Sequence, residues 1–432
     1  MSISGFSRAV LGTFAAVALL SGCGGGSGTP LSPAPAGPST ALRMTTAERA
    51  HVPAYSVLHS FKGGSDGAFP SAGFTNVDGA LYGTTSQGGD GCSGSYGCGT
   101  VYSISASGAE TVLHAFKGGS ADGAYPAASL LNVNGTLYGT TAGGGSNGYG
   151  TVFSITTSGK ETVLYSFKGG STDGESPLAA LLDVNDTLYG TTLNGGASCS
   201  GSHGCGTVFS ITTSGEETVL YSFKSGDADG QFPYAGLINV KGILYGTTNW
   251  GGAHCGGGLA CGTVFSITRS GKETVRYSFK GGADGQNPQA ALIKVKDKLY
   301  GTVTGLGAYC RCGTVFAVTP SGTETVLHSF GDGRGDGEVP QAALIDMHGK
   351  LYGTTEYGGT GSIGGGTVFE ISTSGKERVL HSFGTVTGDG IFPVASLINV
   401  KGTLYGTTSQ GGSVYCSASG YLGCGTVFAL KP

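Results

Sequence analysis

Residues 150–167 read GTVFSITTSGKETVLYSF. Val152, Ser154 and Thr156 alternate with Phe153 and Ile155, the period-two pattern of a half-buried strand. Thr157-Ser158-Gly159-Lys160 supplies the small polar residues and glycine of a hairpin loop. Residues 161–167 (ETVLYSF) are rich in β-branched and aromatic side chains and predict a second strand. The hairpin recurs at 206–223, 262–279, 313–330 and 366–383, and with changes at 99–116.

Working outward, each hairpin follows a Leu-Tyr-Gly. The tyrosines are Tyr82, Tyr138, Tyr189, Tyr245, Tyr300, Tyr352 and Tyr405, spaced 51–56 residues apart, so seven copies fill residues 54–432. Each copy predicts four strands, A to D. In the second copy these are 127–133, 136–141, 151–156 and 161–167. Asn134-Gly135 links A to B as a two-residue hairpin turn. The B–C link is long, glycine-rich and variable, and the D–A link carries Asp-Gly-x-x-Pro in every copy. Four short antiparallel strands per repeat match one propeller blade, so the fold expected is an all-β, seven-bladed β-propeller.

The chain ends define how the ring closes. It starts with a D-type strand, 55–61, and finishes with a C-type strand, 426–430. Pairing these completes the last blade and hides both edges. The rival, an open solenoid, needs distinct polar caps, and neither end has one. Antiparallel alternation puts tight A–B and C–D turns on one face. The B–C and D–A loops share the other, which is the expected ligand face.

Only 12% of residues are charged and the net charge is −4, against about 25% charged in ordinary domains. No basic stripe exists, so nucleic acid is not an expected partner. The N-terminus is a targeting segment. Arg8 precedes an apolar run at 9–20, and Leu20-Ser21-Gly22-Cys23 follows. This resembles the bacterial lipoprotein signal, in which the cysteine becomes the acylated first residue. The other reading is an ordinary cleaved signal with a chance cysteine. On the lipoprotein reading, 1–22 is removed, Cys23 carries lipid, and 23–53, rich in Gly, Ser and Pro, is a tether. Gly24 after the cysteine matches sorting to the outer membrane or cell surface, with the lipid anchor as the only membrane contact.

The remaining ten cysteines pair locally in B–C loops: Cys92 with Cys98, Cys199 with Cys205, Cys255 with Cys261, Cys310 with Cys312, and Cys416 with Cys424. In an exported protein these read as disulfides. Thiolate metal binding is the alternative, with His203 and His254 near two of the pairs. No metal and no cofactor are expected. The Cys310–Cys312 ring is small, so its bonding stays open.

Asp66, Asp122, Asp173, Asp229, Asp284, Asp336 and Asp389 of Asp-Gly-x-x-Pro read either as a ring of cation-binding carboxylates or as Asx-type turns, with Gly at positive φ and Pro opening strand A. Sevenfold repetition favours the turn, because a catalytic site needs unlike residues in unlike roles. The Tyr and Thr of Leu-Tyr-Gly-Thr-Thr are expected to pack between blades or bond neighbouring backbone. Ligand contacts are therefore sought in departures from the repeat on the loop face: Tyr96, His203, Trp250, His254, Tyr309, Arg311, Arg334, Glu356, Tyr357, Tyr415 and Tyr421. Exposed aromatics there suit sugar stacking or a protein partner.

No catalytic residue is nominated. A sialidase-like propeller needs arginines clustered around a carboxylate. Only Arg311 and Arg334 map to the loop face, while Arg269 lies in a C–D turn and Arg276 and Arg378 lie in strand D. The hairpin's cadence resembles quinone-cofactor dehydrogenases, but their repeated docking Trp is absent. No Gly-x-Ser-x-Gly elbow, His-Glu-x-x-His or phosphate loop occurs.

Leu-Tyr-Gly-Thr-Thr (137–141), Gly-Thr-Val-Phe-Ser-Ile (150–155) and Val-Leu-Tyr-Ser-Phe (163–167) together resemble the bacterial GloVer tandem repeat, described as "choice-of-anchor". The copy at 299–304 departs, reading Leu-Tyr-Gly-Thr-Val-Thr with no Gly-Gly after it. The resemblance implies surface display on a propeller, here anchored through Cys23, and no defined activity. The function expected is a binding or adhesion module for saccharide or protein. The alternatives are a propeller enzyme acting on extracellular polysaccharide or a purely structural surface protein.

Overall fold

The structure, a computed structural model, describes residues 53–92, 96–197, 203–253, 261–305, 312–333, 335–413, 416 and 423–432. The targeting segment, Cys23, the tether, Cys199, Cys255 and Cys310 lie outside the described residues.

Seven four-stranded antiparallel sheets, each in the order A-B-C-D, form the blades of a β-propeller. In blade 2 the strands are Leu131–Val133, Thr136–Thr141, Thr151–Thr156 and Glu161–Ser166. The ring closes through Ala54–Ser60, which pairs antiparallel with Thr426–Lys431, Tyr55 opposite Leu430 and Ser60 opposite Thr426. Blade 7 thus takes its outer strand from the start of the chain.

Strand A is shorter than the sequence pattern predicts, only Leu131–Val133 in blade 2. Residues 127–129 instead run beside the axis, where a cavity of about 220 Å³ is lined by the small residues after each proline, such as Ala127-Ala128-Ser129. Pro126 does not open the strand. The A–B turn is as expected, with Asn134 at φ 52° and Gly135 at φ 85°, both left-handed as a type I′ turn requires.

The core lies between blades. Phe167, which directly follows strand D, is fully buried and meets Phe209 of the next blade edge-on, with ring centroids 5.2 Å apart. The same pair recurs at every junction, from Phe61–Tyr102 to Phe383–Phe428, at 5.1–5.2 Å. Edge-to-face pairs add about 0.5–1.5 kcal/mol each beyond burial, so these rings do the docking without a repeated tryptophan. The Leu-Tyr-Gly glycine makes room for them. A Cβ on Gly190 would fall 2.5 Å from Phe209 Cζ.

The two threonines of Leu-Tyr-Gly-Thr-Thr divide the bonding between them. The first donates to a carbonyl of the next blade, from Thr191→Ala235 at 3.0 Å to Thr407→Ala72 at 3.4 Å across the closure. The second shares a 2.8 Å hydrogen bond with the first threonine of strand C, as in Thr141–Thr151. Blade 5 has Val303 in this place, and buried Thr314 Oγ1 is left without a partner. An unsatisfied buried hydroxyl costs about 1–3 kcal/mol. Val303→Thr is therefore expected to raise unfolding free energy by roughly 1 kcal/mol; no gain in a denaturant titration would contradict this account.

Candidate functional site

In Asp-Gly-x-x-Pro the aspartate caps backbone, but it reaches backwards. Asp173 Oδ2 accepts from Lys168 N–H at 2.7 Å and Oδ1 from Gly174 N–H at 2.6 Å. Positive φ at the glycine holds only for Gly67 and Gly285. In the other blades the glycine is required because the second threonine of strand B lies against it, Thr192 Oγ1 2.6 Å from a Cβ on Gly174.

The left-handed residue is instead the one before proline. Phe69, Tyr125, Ser176, Phe232, Asn287, Val339 and Phe392 all have φ of 56–61°. Such angles are unfavourable for bulky residues, and a following proline restricts the position further. Two blades hold each one there. Its N–H donates to a loop carbonyl of the preceding blade at 2.7–2.9 Å, and its C=O accepts from the first B–C residue of its own blade at 2.9–3.3 Å. Strain over-determined in this way is a feature of functional positions. The same loops also meet in short bridges such as Gly174 with Gly195, which confirms that D–A and B–C segments share a face.

Around that face the side chains differ from blade to blade. Tyr96 sits in a cleft of about 280 Å³ between blades 7 and 1, with Phe69, Gln87 and Asp90. His203 is largely exposed, its Nδ1 3.7 Å from Glu175 Oε1; burial raises the Glu175 pKa, opposed by His203. Trp250 meets Phe232 at 5.8 Å and Tyr357 meets Phe392 at 5.2 Å. Glu356 accepts from Gln341, which lines the axial cavity, and burial raises its pKa. These five sit on blades 1, 3, 4 and 6 and do not converge. His254, Tyr309, Arg311, Arg334, Tyr415 and Tyr421 lie outside the described residues. Sequence reasoning missed Phe69, Gln87, Asp90 and Tyr125. The available signal was variation at one position inside an otherwise repeated motif.

Disulfides join Cys92 to Cys98 and Cys416 to Cys424. Cys205, Cys261 and Cys312 are also disulfide-bonded, with partners outside the described residues. Bonds of this kind belong to an extracellular, oxidising setting.

A second cluster lies where strands D of adjacent blades meet. The Asp-Gly aspartate is 3.3–3.5 Å from His59, His114, His328 or His381, or accepts from Tyr165, Tyr221 or Tyr277 at 2.8–2.9 Å. At three junctions a glutamate joins them, with ligand atoms of His59, Asp66 and Glu110, of His114, Asp122 and Glu161, and of His328, Asp336 and Glu377 within 4.8 Å. These are donors a divalent cation accepts. Because tyrosine replaces histidine elsewhere, the feature common to the ring is a clasp that ties strand D to the loop following it.

Burial beside these aspartates pushes Glu161, Glu217 and Glu273 up to about 7 from 4.5, and Glu110, Glu324 and Glu377 likewise. A raised folded-state value favours the native state below 4.5 and loses that contribution as pH rises through 7. For Asp66, Asp122, Asp336 and Asp389, burial raises the value, but histidine and backbone N–H bonds outweigh it and hold it below 3.8. Their contribution is lost at lower pH. The melting temperature is therefore expected to peak between about pH 4 and 5 and fall toward pH 8. Glu161→Gln should lessen the fall. A flat profile across pH 5–8 would contradict this.

The fold and this face define a closed propeller with a stapled, variable loop face on a uniform frame. The chain belongs to the Gloeobacter/Verrucomicrobia repeat family, whose model matches residues 40–203 and 197–428. No curated protein matches it. Among solved structures it is similar to a protein assigned as a gluconolactonase, with 13% identity and TM-score 0.41 over 76% of this chain and 94% of that one. A luciferin-regenerating enzyme is similar at 14% identity and TM-score 0.37, over 69% and 88%. So is an α-L-arabinofuranosidase from Clostridium thermocellum, at 14% and 0.35, over 60% and 93%. Likeness at this level carries no argument about activity.

Proposed function

We propose that this protein is a binding module, anchored to the bacterial envelope through a lipid on Cys23, whose loop face takes an extracellular saccharide or protein ligand. One observation carries the binding reading. Among the described residues, the exposed large apolar side chains, namely Tyr96, Tyr125, Tyr149, Trp250, Tyr357, Ile363 and Val386, all lie in B–C or D–A loops. Exposed aromatic side chains on variable loops carried by a rigid frame suit contact with a ligand. A glycan array probed with the exported chain, carrying Cys23→Ser for solubility, tests it. Binding is expected, and it should be lost when Tyr96, Trp250 and Tyr357 are all changed to alanine. Palmitate labelling of the native chain, absent in Cys23→Ser, tests the anchor.

The runner-up, a polysaccharide-cleaving enzyme, draws on Glu356, whose burial beside the axial mouth favours its protonated form as a general acid requires. Turnover of a bound glycan, abolished by Glu356→Gln, would favour it. The third reading, a structural surface component, needs no ligand at all.

A further inference from the structure

We propose that the cleft between blades 7 and 1 is the principal subsite of the loop face and that it takes a neutral saccharide, one sugar ring stacking on Phe69. This rests on the loop-face binding reading above and names the ligand class and its place.

The cleft is built rather than incidental. Its volume of about 280 Å³ is close to the lower end of ligand pockets, roughly 300 Å³, which suits one or two rings of a longer glycan. Its floor is glycine. Gly63, Gly64, Gly88, Gly89 and Gly97 line it, and a Cβ on Gly88 would fall 2.5 Å from Gly67 Cα and one on Gly63 3.2 Å from Cys424 Sγ, so the segments that bound the cleft are closely packed. Cys92 and Cys416 line the cleft, and each belongs to a disulfide, so both walls are cross-linked before a ligand arrives. Preorganisation of this kind lowers the entropy lost on binding.

Phe69 is the central residue. It is held at φ 56° by its N–H donating to Cys424 O at 2.9 Å and its C=O accepting from Ser86 N–H at 3.1 Å. Such a conformation is unfavourable for a bulky residue. The turn does not need an aromatic, since Asn287 occupies the same place in blade 5 at φ 60° and asparagine tolerates that region. What phenylalanine adds is a ring that packs on the core between blades 7 and 1 and also lines the cleft. Tyr96, 52% exposed, supplies a second. Gln87 offers donors and an acceptor and Asp90 offers acceptors, which suits sugar hydroxyls.

Charge selects the class. Asp90 is the only ionic side chain lining the cleft among the described residues. Beside this carboxylate a uronate or sialate would meet like charge, whereas a neutral sugar donates hydroxyls to it. Trp250 with Phe232 and Tyr357 with Phe392 form other aromatic patches, but neither pair lines this cleft.

Isothermal titration calorimetry of the exported chain (Cys23→Ser) against neutral gluco-, xylo- and chito-oligosaccharides and against oligogalacturonate tests the assignment. A neutral glycan is expected to bind, and oligogalacturonate should bind at least about tenfold more weakly. Phe69→Asn and Asp90→Ala should each weaken binding about tenfold or more, the range of a buried anchor residue. Phe69→Trp should retain binding. Lys272→Ala, in a turn of the opposite face, should change nothing. Phe69 also packs against the core between blades 7 and 1, so Phe69→Asn should lower the melting temperature somewhat, while Asp90→Ala, at an exposed position, should keep it and separate lost binding from lost folding. A glycan bound equally by the chain and by Phe69→Asn, or lost only in Trp250→Ala, overturns this assignment and leaves the loop-face reading standing. Preference for the acidic oligomer overturns the neutral class. If no saccharide binds, this assignment falls; the broader reading falls with it only if protein ligands fail too.

Discussion

Deleting residues 54–61 should open the ring and produce the largest loss of stability of any short deletion. The strand Ala54–Ser60 covers Thr426–Lys431 along its whole length. Tyr55 stacks on His381 with centroids 3.7 Å apart and donates to Asp389 at 2.5 Å. Phe61 is fully buried and meets Tyr102 of blade 1. Loss of Phe61 together with the partly buried Leu58 costs about 5 kcal/mol on the scale of buried Phe and Leu truncations. The bared edge at Thr426–Lys431 then offers unpaired N–H and C=O groups to another chain. Light scattering is expected to show dimers or larger species, and the melting temperature should fall by at least about 10 °C. A peptide of residues 54–61 added in trans should restore the monomer by strand addition. A truncated chain that stays monomeric with an unchanged melting temperature would mean that the ring does not depend on this pairing.

The second large effect is expected at Phe209 and Gly190. Phe209 is fully buried and packs against Phe167, so Phe209→Ala should cost about 3–5 kcal/mol. Gly190→Ala places a Cβ 2.5 Å from the same ring and should cost about 1–3 kcal/mol by overpacking. In the double variant the obstructing ring is gone, so the alanine at 190 should add almost nothing. The coupling energy should equal most of the Gly190→Ala cost, about 1–3 kcal/mol. Guanidinium unfolding of the four proteins measures it. Additive costs would mean that the glycine serves something other than the ring.

Much of the frame was legible because it is periodic. Leu-Tyr-Gly spacing counted the blades, and the unlike ends identified the closing pair. What misled was reading Asp-Gly-x-x-Pro as one local turn. Its proline is separated from strand A by residues that line the axis, and its left-handed residue is the variable one before the proline. Its left-handed conformation has no local cause, since Phe69 owes it to carbonyl and amide partners in two blades. Val303 shows the same limit. It looks like a neutral departure until Thr314 is found without its partner.

The sequence by itself determined the class of fold, the number of blades, the closing strand and the face that carries the variable loops. Each of these follows from hydrophobic alternation and turn chemistry, which act over a few residues and repeat along the chain. Only the tertiary structure decided which distant side chains meet: Tyr96 with Phe69 and Asp90 in one cleft, Phe167 with Phe209 and Thr191 with the Ala235 carbonyl across blade junctions. Those contacts join residues far apart in the chain that sheet and ring geometry bring together, and no short-range pattern records them.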